Sequence, residues 1–308
     1  MRSAVYGDKK EPNMQYDHIS LLSDFGTADE FVGVMKAVIA DMAPGARVTD
    51  LAHHVPTFDV RAGSLMLARC IQYVPRGIVI GIVDPGVGTQ RKAVALEVAG
   101  GEGILIGPDN GLLAPAAAMV GGVDRAVILN NTDLHLPTLG GTFAGRDIFA
   151  PVAAHLCNGI SFDELGDPVD ADLLLPGLVT LPQISDDEII AEVTWIDLFG
   201  NCQLNVGPED VAALCGVDVV RGDGTQQLAA VVDGVARAVV ITSAYAYVPT
   251  GGIGLVIDSY GMLSLAKDQD SAARDIGLGQ GDQVVLRRIE GTSASGVSTP
   301  VQVGRKPR

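Results

Sequence analysis

The stretch IVIGIVDPGVGTQR, residues 78–91, sets the fold class. An apolar run reads as a strand, and a polar, glycine-bearing loop follows it at once, so that Asp84 stands at the strand exit. Upstream, Asp59–Tyr73 has helical period, His18–Ser23 and Arg47–Leu51 read as strands, and Phe31, Val34, Met35, Val38 and Ile39 mark the buried side of a helix. Thr27 and Glu30 are spaced as a capping box for that helix. Downstream, Ala93–Val98, Ile104–Ile106 and Ala126–Leu129 read as strands, with Asp109–Met119 and Asp147–Cys157 as helices. The alternation predicts an α/β domain with a mainly parallel sheet over residues 17–170.

At 167–187 the text changes to DPVDADLLLPGLVTLPQISDD, rich in Pro, Asp and Leu without a period. Residues 171–187 therefore read as a linker. Beyond it, Glu188–Ile196, Leu228–Val232, Ala236–Ile241, Ile253–Ile257 and Gln283–Arg288 are short alternating segments, which predict a smaller, largely antiparallel β domain over 188–292. Residues 1–16 and 293–308 are polar or rich in Ser, Gly and Pro and read as loose tails.

Composition narrows the function. The 308 residues are 47% hydrophobic and 19% charged, which is globular, and 37 acidic against 21 basic residues give a net charge of −16. Such a surface does not attract a phosphate backbone, so a nucleic-acid partner is not expected. The five His and four Cys include no CxxC pair, which argues against structural zinc and a disulfide framework; the cysteines read as buried small hydrophobes. A polar N-terminal stretch without an apolar core, and no run of 18 apolar residues, predict a soluble cytoplasmic protein without membrane attachment.

Four segments look chemical: SDFGT at 23–27, DPGVGTQR at 84–91, GPDNG at 107–111 and TFAGRD at 142–147. Each follows an apolar run, where an open α/β sheet places its ligand loops. Asp84 and Arg91 suit either a strand-end salt bridge or catalysis. Asp24 suits a sugar diol, whose two hydroxyls a carboxylate can accept, or a helix cap. In WIDLFGN at 195–201, Asp197 can take an ammonium, Phe199 can stack on a flat ring and Asn201 can read a base edge; a hairpin turn explains the same letters. His53 and His54 point to opposite faces of a strand and cannot easily share an ion. The glycine loops fit neither a dinucleotide fingerprint nor a P-loop.

In this order, SDFGT, DPGVGT-x-R, GPDNG, TF-x-GRDIFAPVAAHL and ID-x-FGN resemble the S-adenosyl-L-methionine hydroxide adenosyltransferases, related to the S-adenosylmethionine-dependent fluorinase and chlorinase. The resemblance covers about Ile19 to Arg288. It implies an N-terminal α/β domain, a C-terminal β domain, and a homotrimer with active sites between subunits. It also implies hydrolysis of S-adenosyl-L-methionine to adenosine and L-methionine by water or hydroxide at ribose C5′, without a metal or other cofactor. By that pattern Asp84 and Arg91 are catalytic, and Ala144 stands where the family reads His, in TFHGRD. Asp24 would hold the ribose hydroxyls, Phe58 and Phe143 would line the sugar and adenine pocket, and Asp197 would take the methionine amine. Asn201 and Phe199 would meet adenine, and Ser259 the methionine carboxylate; Tyr260 follows it where the halogenases carry Arg. A methyl group cannot relay a proton, so an engineered or naturally impaired hydrolase is expected. A halogenase is the alternative, opposed by Asp84 where the fluorinase has an aromatic hydroxyl; a binding protein without catalysis is the other.

Overall fold

The computed structural model describes residues 16–216 and 219–289, and its chain divides into two compact units after Val179. The expected tails lie outside the described residues except for Tyr16, which is buried rather than loose and donates its hydroxyl to Gly101 O at 2.9 Å.

In the first unit the order is β1 (His18–Ser23), α1 (Phe31–Met42), β2 (Arg47–Ala52), α2 (Val60–Cys70), β3 (Gly77–Ile82), β4 (Ala93–Val98) and β5 (Gly103–Pro108). There follow α3 (Ala114–Met119), β6 (Val123–Ile128), α4 (Ala150–Cys157) and β7 (Asp167–Val169). The sheet order is β2-β1-β3-β5-β4-β6-β7. It is parallel through its first four strands, and the pairings of β4 with β5 and β6, and of β6 with β7, are antiparallel. SDFGT, DPGVGTQR and GPDNG lie at the ends of β1, β3 and β5 in the parallel half, whereas TFAGRD lies between β6 and α4.

Side-chain alternation covers both faces of β3. Ile78, Ile80 and Ile82 join the core with Met35 and Ile39 of α1 and Val152 and Leu156 of α4. On the opposite face, a Cβ on Gly81 would meet Leu67 of α2 and Leu112 and Leu113 beside α3 at 3.3–3.4 Å. The result is helices on both sides of the sheet. The helix expected over Asp109–Met119 starts only at Ala114, because Asp109 and Asn110 use their side chains to hold distant backbone. The Thr27–Glu30 capping box does not form: α1 begins at Phe31 with no side-chain cap, and the Thr27 hydroxyl lies 3.4 Å from His54 Nε2 instead.

The second unit runs β8 (Gln183–Ile184), β9 (Glu188–Ile196), β10 (Cys202–Leu204), α5 (Pro208–Cys215), β11 (Asp223–Val232), β12 (Val235–Thr242), β13 (Ile253–Ile257), β14 (Leu263–Ala266), α6 (Ala272–Ile276) and β15 (Gln283–Arg288). Its sheet order is β10-β14-β13-β12-β11-β15-β9-β8, and β10 also pairs with β9, so the sheet closes on itself as a barrel. Among the described residues of this unit, only β12 and β13 pair in parallel. The four cysteines are free: Cys157 and Cys202 are buried, which pushes their thiols up to about 12, whereas Cys70 and Cys215 are half-buried rather than fully packed away.

Two glycines give opposite tests of this packing. Gly33 lies on α1 with nothing within 4 Å of its missing Cβ, so Gly33→Ala should stabilise the protein by about 0.5–1 kcal/mol. Gly111 has φ +89°, and its Cβ would stand 2.5 Å from Pro176 O. Gly111→Ala should therefore cost roughly 2 kcal/mol or more. Urea midpoints of the two variants check both signs.

Candidate active site

Two neighbouring parallel strands deliver two carboxylates to one edge. Ser23 of β1 pairs with Ile82 of β3, and just beyond, Asp24 N donates to Ile82 O at 3.2 Å. Asp24 and Asp84 therefore leave the sheet side by side at its carboxyl end. After Asp84 the chain turns back through Val87 N to Asp84 O and Thr89 N to Gly86 O, both 3.2 Å, with Gly88 at φ +78°. The reversal returns Arg91 to the start of its own loop. There Nε donates to Asp84 Oδ1 at 3.0 Å and Nη2 donates to Oδ2, a bidentate pair whose side chains are only 5% and 11% exposed for Asp84 and Arg91.

Burial pushes the Asp84 carboxyl up from its ordinary value; Arg91 pulls against that, and the charge of Asp24 adds to the rise. The strand-end ion pair expected of these two residues is formed. Asn110 of the GPDNG segment braces it, donating Nδ2 to Val83 O at 2.8 Å, one residue before Asp84. Asp109 accepts from Leu175 N at 2.8 Å, so that segment holds the loop without lining the pair.

Asp24 is no helix cap. Its Oδ2 accepts from Phe58 N at 2.9 Å, which ties it to the loop after β2 and holds Phe58 at φ +67°, a left-handed conformation rare for an aromatic residue. Phe58 is 71% exposed, which leaves its ring free to cover a ligand. Phe143 packs edge-on against Phe25 and Phe31, with centroids 5.8 and 5.0 Å away, and Arg146 lies over its ring at 5.1 Å. Phe25 of SDFGT has no role in the sequence reading, and Phe31, expected on the buried side of its helix, is instead 36% exposed and packs its ring against Phe25 and Phe143.

Ala144 is buried in the same core. It precedes a wide π-type turn over Gly145–Phe149, in which Ala150 N donates to Gly145 O. A Cβ on Gly145 would stand 2.9 Å from Met35 Sδ and 3.1 Å from Ile82 Cδ1, so only glycine lets this turn press against the end of β3. A Cβ on Gly88 would lie 3.5 Å from Gly141 O, which brings the TFAGRD and DPGVGT loops together. Asp24, Asp84, Arg91, Phe143 and Ala144 thus share one strand edge.

In the second unit Asp197 builds the hairpin turn between β9 and β10. Oδ1 accepts from Phe199 N and Asn201 N, both at 2.9 Å, and Oδ2 accepts from Asn201 Nδ2 at 2.8 Å. The turn thrusts Leu198 and Phe199 into solvent. It forms one wall of a cleft of about 910 Å³ that also takes in Tyr245, Lys267 and Arg274. Lys267, missed in the sequence, is 10% exposed and lies 3.3 Å from Asp270 and 3.4 Å from Asp275. Ser259 and Tyr260 are exposed on a second turn of the same design, where Asp258 accepts from Tyr260 N at 2.8 Å and Met262 N at 3.1 Å; they do not line the cleft. Burial raises the Tyr245 hydroxyl, and Asp258 and Asp197 raise it further, which places that tyrosine within the field of both turns. Among the described residues no His, Cys, Asp and Glu side chains are grouped as a metal ion requires, and no helix is long and apolar enough to cross a membrane.

The buried pair makes a test with a definite sign. At pH 7 Arg91→Met leaves Asp84 unpaired, for an expected loss of about 3–5 kcal/mol. Without Arg91 the folded-state pKa of Asp84 rises further above its unfolded value. Stability is then retained where the carboxyl is protonated in both states and falls as pH climbs through the folded pKa. The gap between parent and variant in urea unfolding should therefore narrow from pH 7 toward pH 4; a gap independent of pH would mean that only packing was lost.

Residues 19–166 match the SAM hydroxide adenosyltransferase N-terminal domain and residues 191–285 the C-terminal domain. The chain is 39% identical over 266 residues to an (R)-S-adenosyl-L-methionine hydrolase of Salinispora arenicola, covering 86% of this chain and 96% of that one. A fluorinase of Actinoplanes sp. is more distant, at 28% identity over 88% of this chain and 97% of its own. The crystal structure of an uncharacterized conserved protein from Thermotoga maritima matches with a TM-score of 0.80 at 31% identity, covering 88% of this chain and 100% of that one. Two domain matches in the right order, on the loops that carry the paired carboxylates and the Asp197 turn, establish that this chain belongs to the SAM hydroxide adenosyltransferase family.

Proposed function

We propose that the protein hydrolyses S-adenosyl-L-methionine to adenosine and L-methionine, with Asp84 and Arg91 handling the attacking water. The observation that carries this reading is the buried bidentate pair at the exit of β3, beside Asp24. Water attacks ribose C5′; the C5′–O bond forms as the C5′–S bond breaks, and its electron pair leaves with sulfur as a neutral thioether. One proton must depart. The sulfonium is already an activated leaving group, so no cofactor is needed; the barrier lies in the nucleophile, since water has a pKa of about 15.7. A carboxyl raised by burial is the better proton acceptor, and the Arg91 guanidinium stabilises hydroxide character on the oxygen.

In this reading Asp24 accepts from the ribose hydroxyls, and Phe58 and Phe143 enclose the sugar and adenine. Asp197 receives the methionine ammonium, Asn201 and Phe199 meet the adenine, and Ser259 with Tyr260 faces the carboxylate. The active site would lie at the subunit interface of a homotrimer. Free cysteines, two of them with thiols raised by burial, suit a reducing cytoplasm. Halide attack is disfavoured, because a buried carboxylate beside the nucleophile repels an anion. An acidic protein fits a ligand that carries a sulfonium and an ammonium better than it fits a phosphate backbone.

Ala144 leaves the proton path incomplete. Ala144→His should raise turnover by about 10²–10⁴-fold, the usual worth of a general acid–base group. Product analysis in ¹⁸O-water should place solvent oxygen at the adenosine 5′ position. No gain in Ala144→His would show that the missing His is not limiting. A tight complex with intact S-adenosylmethionine and no product from either protein would favour a binding role. In high chloride or fluoride the product should still be adenosine; a 5′-halogenated nucleoside would reassign the chemistry.

A further inference from the structure

His53 plays no part in the chemistry above, yet it is the most connected histidine near the site. Its ring is 6% exposed and spans two partners: Nδ1 lies 2.8 Å from Ser23 Oγ and Nε2 lies 2.9 Å from Asp50 Oδ1. A carboxylate only accepts, so in the neutral imidazole Nε2 carries the hydrogen and Nδ1 accepts from the serine hydroxyl. The chain continues at both ends. Ser23 Oγ accepts from Phe25 N at 3.3 Å, and Lys36 Nζ donates to the other oxygen of Asp50 at 2.5 Å. With the ring neutral, every bond in the row Phe25–Ser23–His53–Asp50–Lys36 has one direction.

The same histidine grips the loop from its other side, since Gly26 N donates to His53 O at 2.6 Å. Val55 N donates to Ser23 O at 3.4 Å, and Phe58 N donates to the Asp24 carboxylate at 2.9 Å. The segment 50–58 thus holds Ser23 and Gly26, the residues that bracket Asp24–Phe25, and holds the Asp24 side chain as well. Ser23 itself is 2% exposed with its hydroxyl engaged, which is no place for a nucleophile.

We propose that Ser23, His53 and Asp50 are positioning residues that fix the Asp24 carboxylate for a vicinal diol, a role that rests on Asp24 being the ribose contact. The relay joins the buried Ser23 and His53 to Asp50 at the surface, so its loss frees the loop without removing any group that touches the ligand.

Calorimetric binding of adenosine and of 2′,3′-dideoxyadenosine to the full chain separates the possibilities. Asp24→Ala sets the reference: it should weaken adenosine at least tenfold and leave the dideoxynucleoside within twofold. Ser23→Ala and His53→Gln should show the same selective loss, about three- to tenfold on adenosine. Combined with Asp24→Ala, either should add nothing further, because the carboxylate it positions is gone. If Asp24→Ala is selective but Ser23→Ala and His53→Gln bind both nucleosides as the parent does, or lose both equally, the relay is only structural and the inference is overturned. If Asp24→Ala itself fails to distinguish the nucleosides, the ribose assignment falls and the positioning role with it. Thermal unfolding checks each variant; should His53→Gln not fold, the hydroxyl-to-hydrogen change Ser23→Ala decides alone.

Discussion

Two carboxylates at adjacent strand exits are the constraint around which the first unit is arranged. Parallel pairing of β1 with β3 and the bond from Asp24 N to Ile82 O bring Asp24 and Asp84 together at one edge. The charge of Asp24 raises the cost of ionising Asp84, which is also out of water. Arg91 offsets that cost with a bidentate contact made possible by a loop that folds back on itself. The surroundings serve the same end: Asn110 pins the strand end, Gly145 admits the turn that bears Ala144, and the segment after β2 clamps SDFGT.

Legibility in the sequence follows the range of the interactions. Glu188–Ile196, Ile253–Ile257 and Gln283–Arg288 appear in the structure with the bounds their alternation predicts, because each strand is long enough to show its period. Strands β10 and β14 have three and four residues, too few for a period, and were not foreseen. Helix α5 did have a signal, Pro208 at its start and Gly216 in the left-handed conformation at its end, with Asp210 accepting from Gly207 N. The Asp109–Asn110 loop read as helix because its side chains bond to Leu175 and Val83, neither of which a local window contains. The clamp of His53 is hidden for the same reason: Ser23 lies thirty residues away.

The turn at Asp197 shows why sequence letters alone left two readings open. Its carboxylate is spent on Phe199 N, Asn201 N and Asn201 Nδ2, which is turn chemistry, and the same bonds fix Phe199 and Asn201 on the wall of the cleft. Asp258 repeats the device at the next turn, with Gln203 Nε2 and Ser264 Oγ reaching its second oxygen at 2.6 and 3.2 Å. A residue that orders its own loop and a residue that presents a polar surface need not be different residues. Gly200, whose Cβ would stand 2.1 Å from Ser271 Oγ, lets the first turn sit against α6.

The way the sheets end bears on how the protein behaves at high concentration. The barrel closes through β9 and β10, and the strand appended to it, β8, has two residues. In the first unit one outer strand, β7, is three residues long and contains Pro168, which has no N–H to offer. The other, β2, is flanked by the Arg47–Asp17 and Lys36–Asp50 ion pairs. Unpaired backbone is what templates intermolecular β-addition, and here it is short, proline-interrupted or guarded by charge. A protein built mainly from strands thereby gains protection against ordered aggregation without devoting any part of the edge that carries Asp24 and Asp84 to that task.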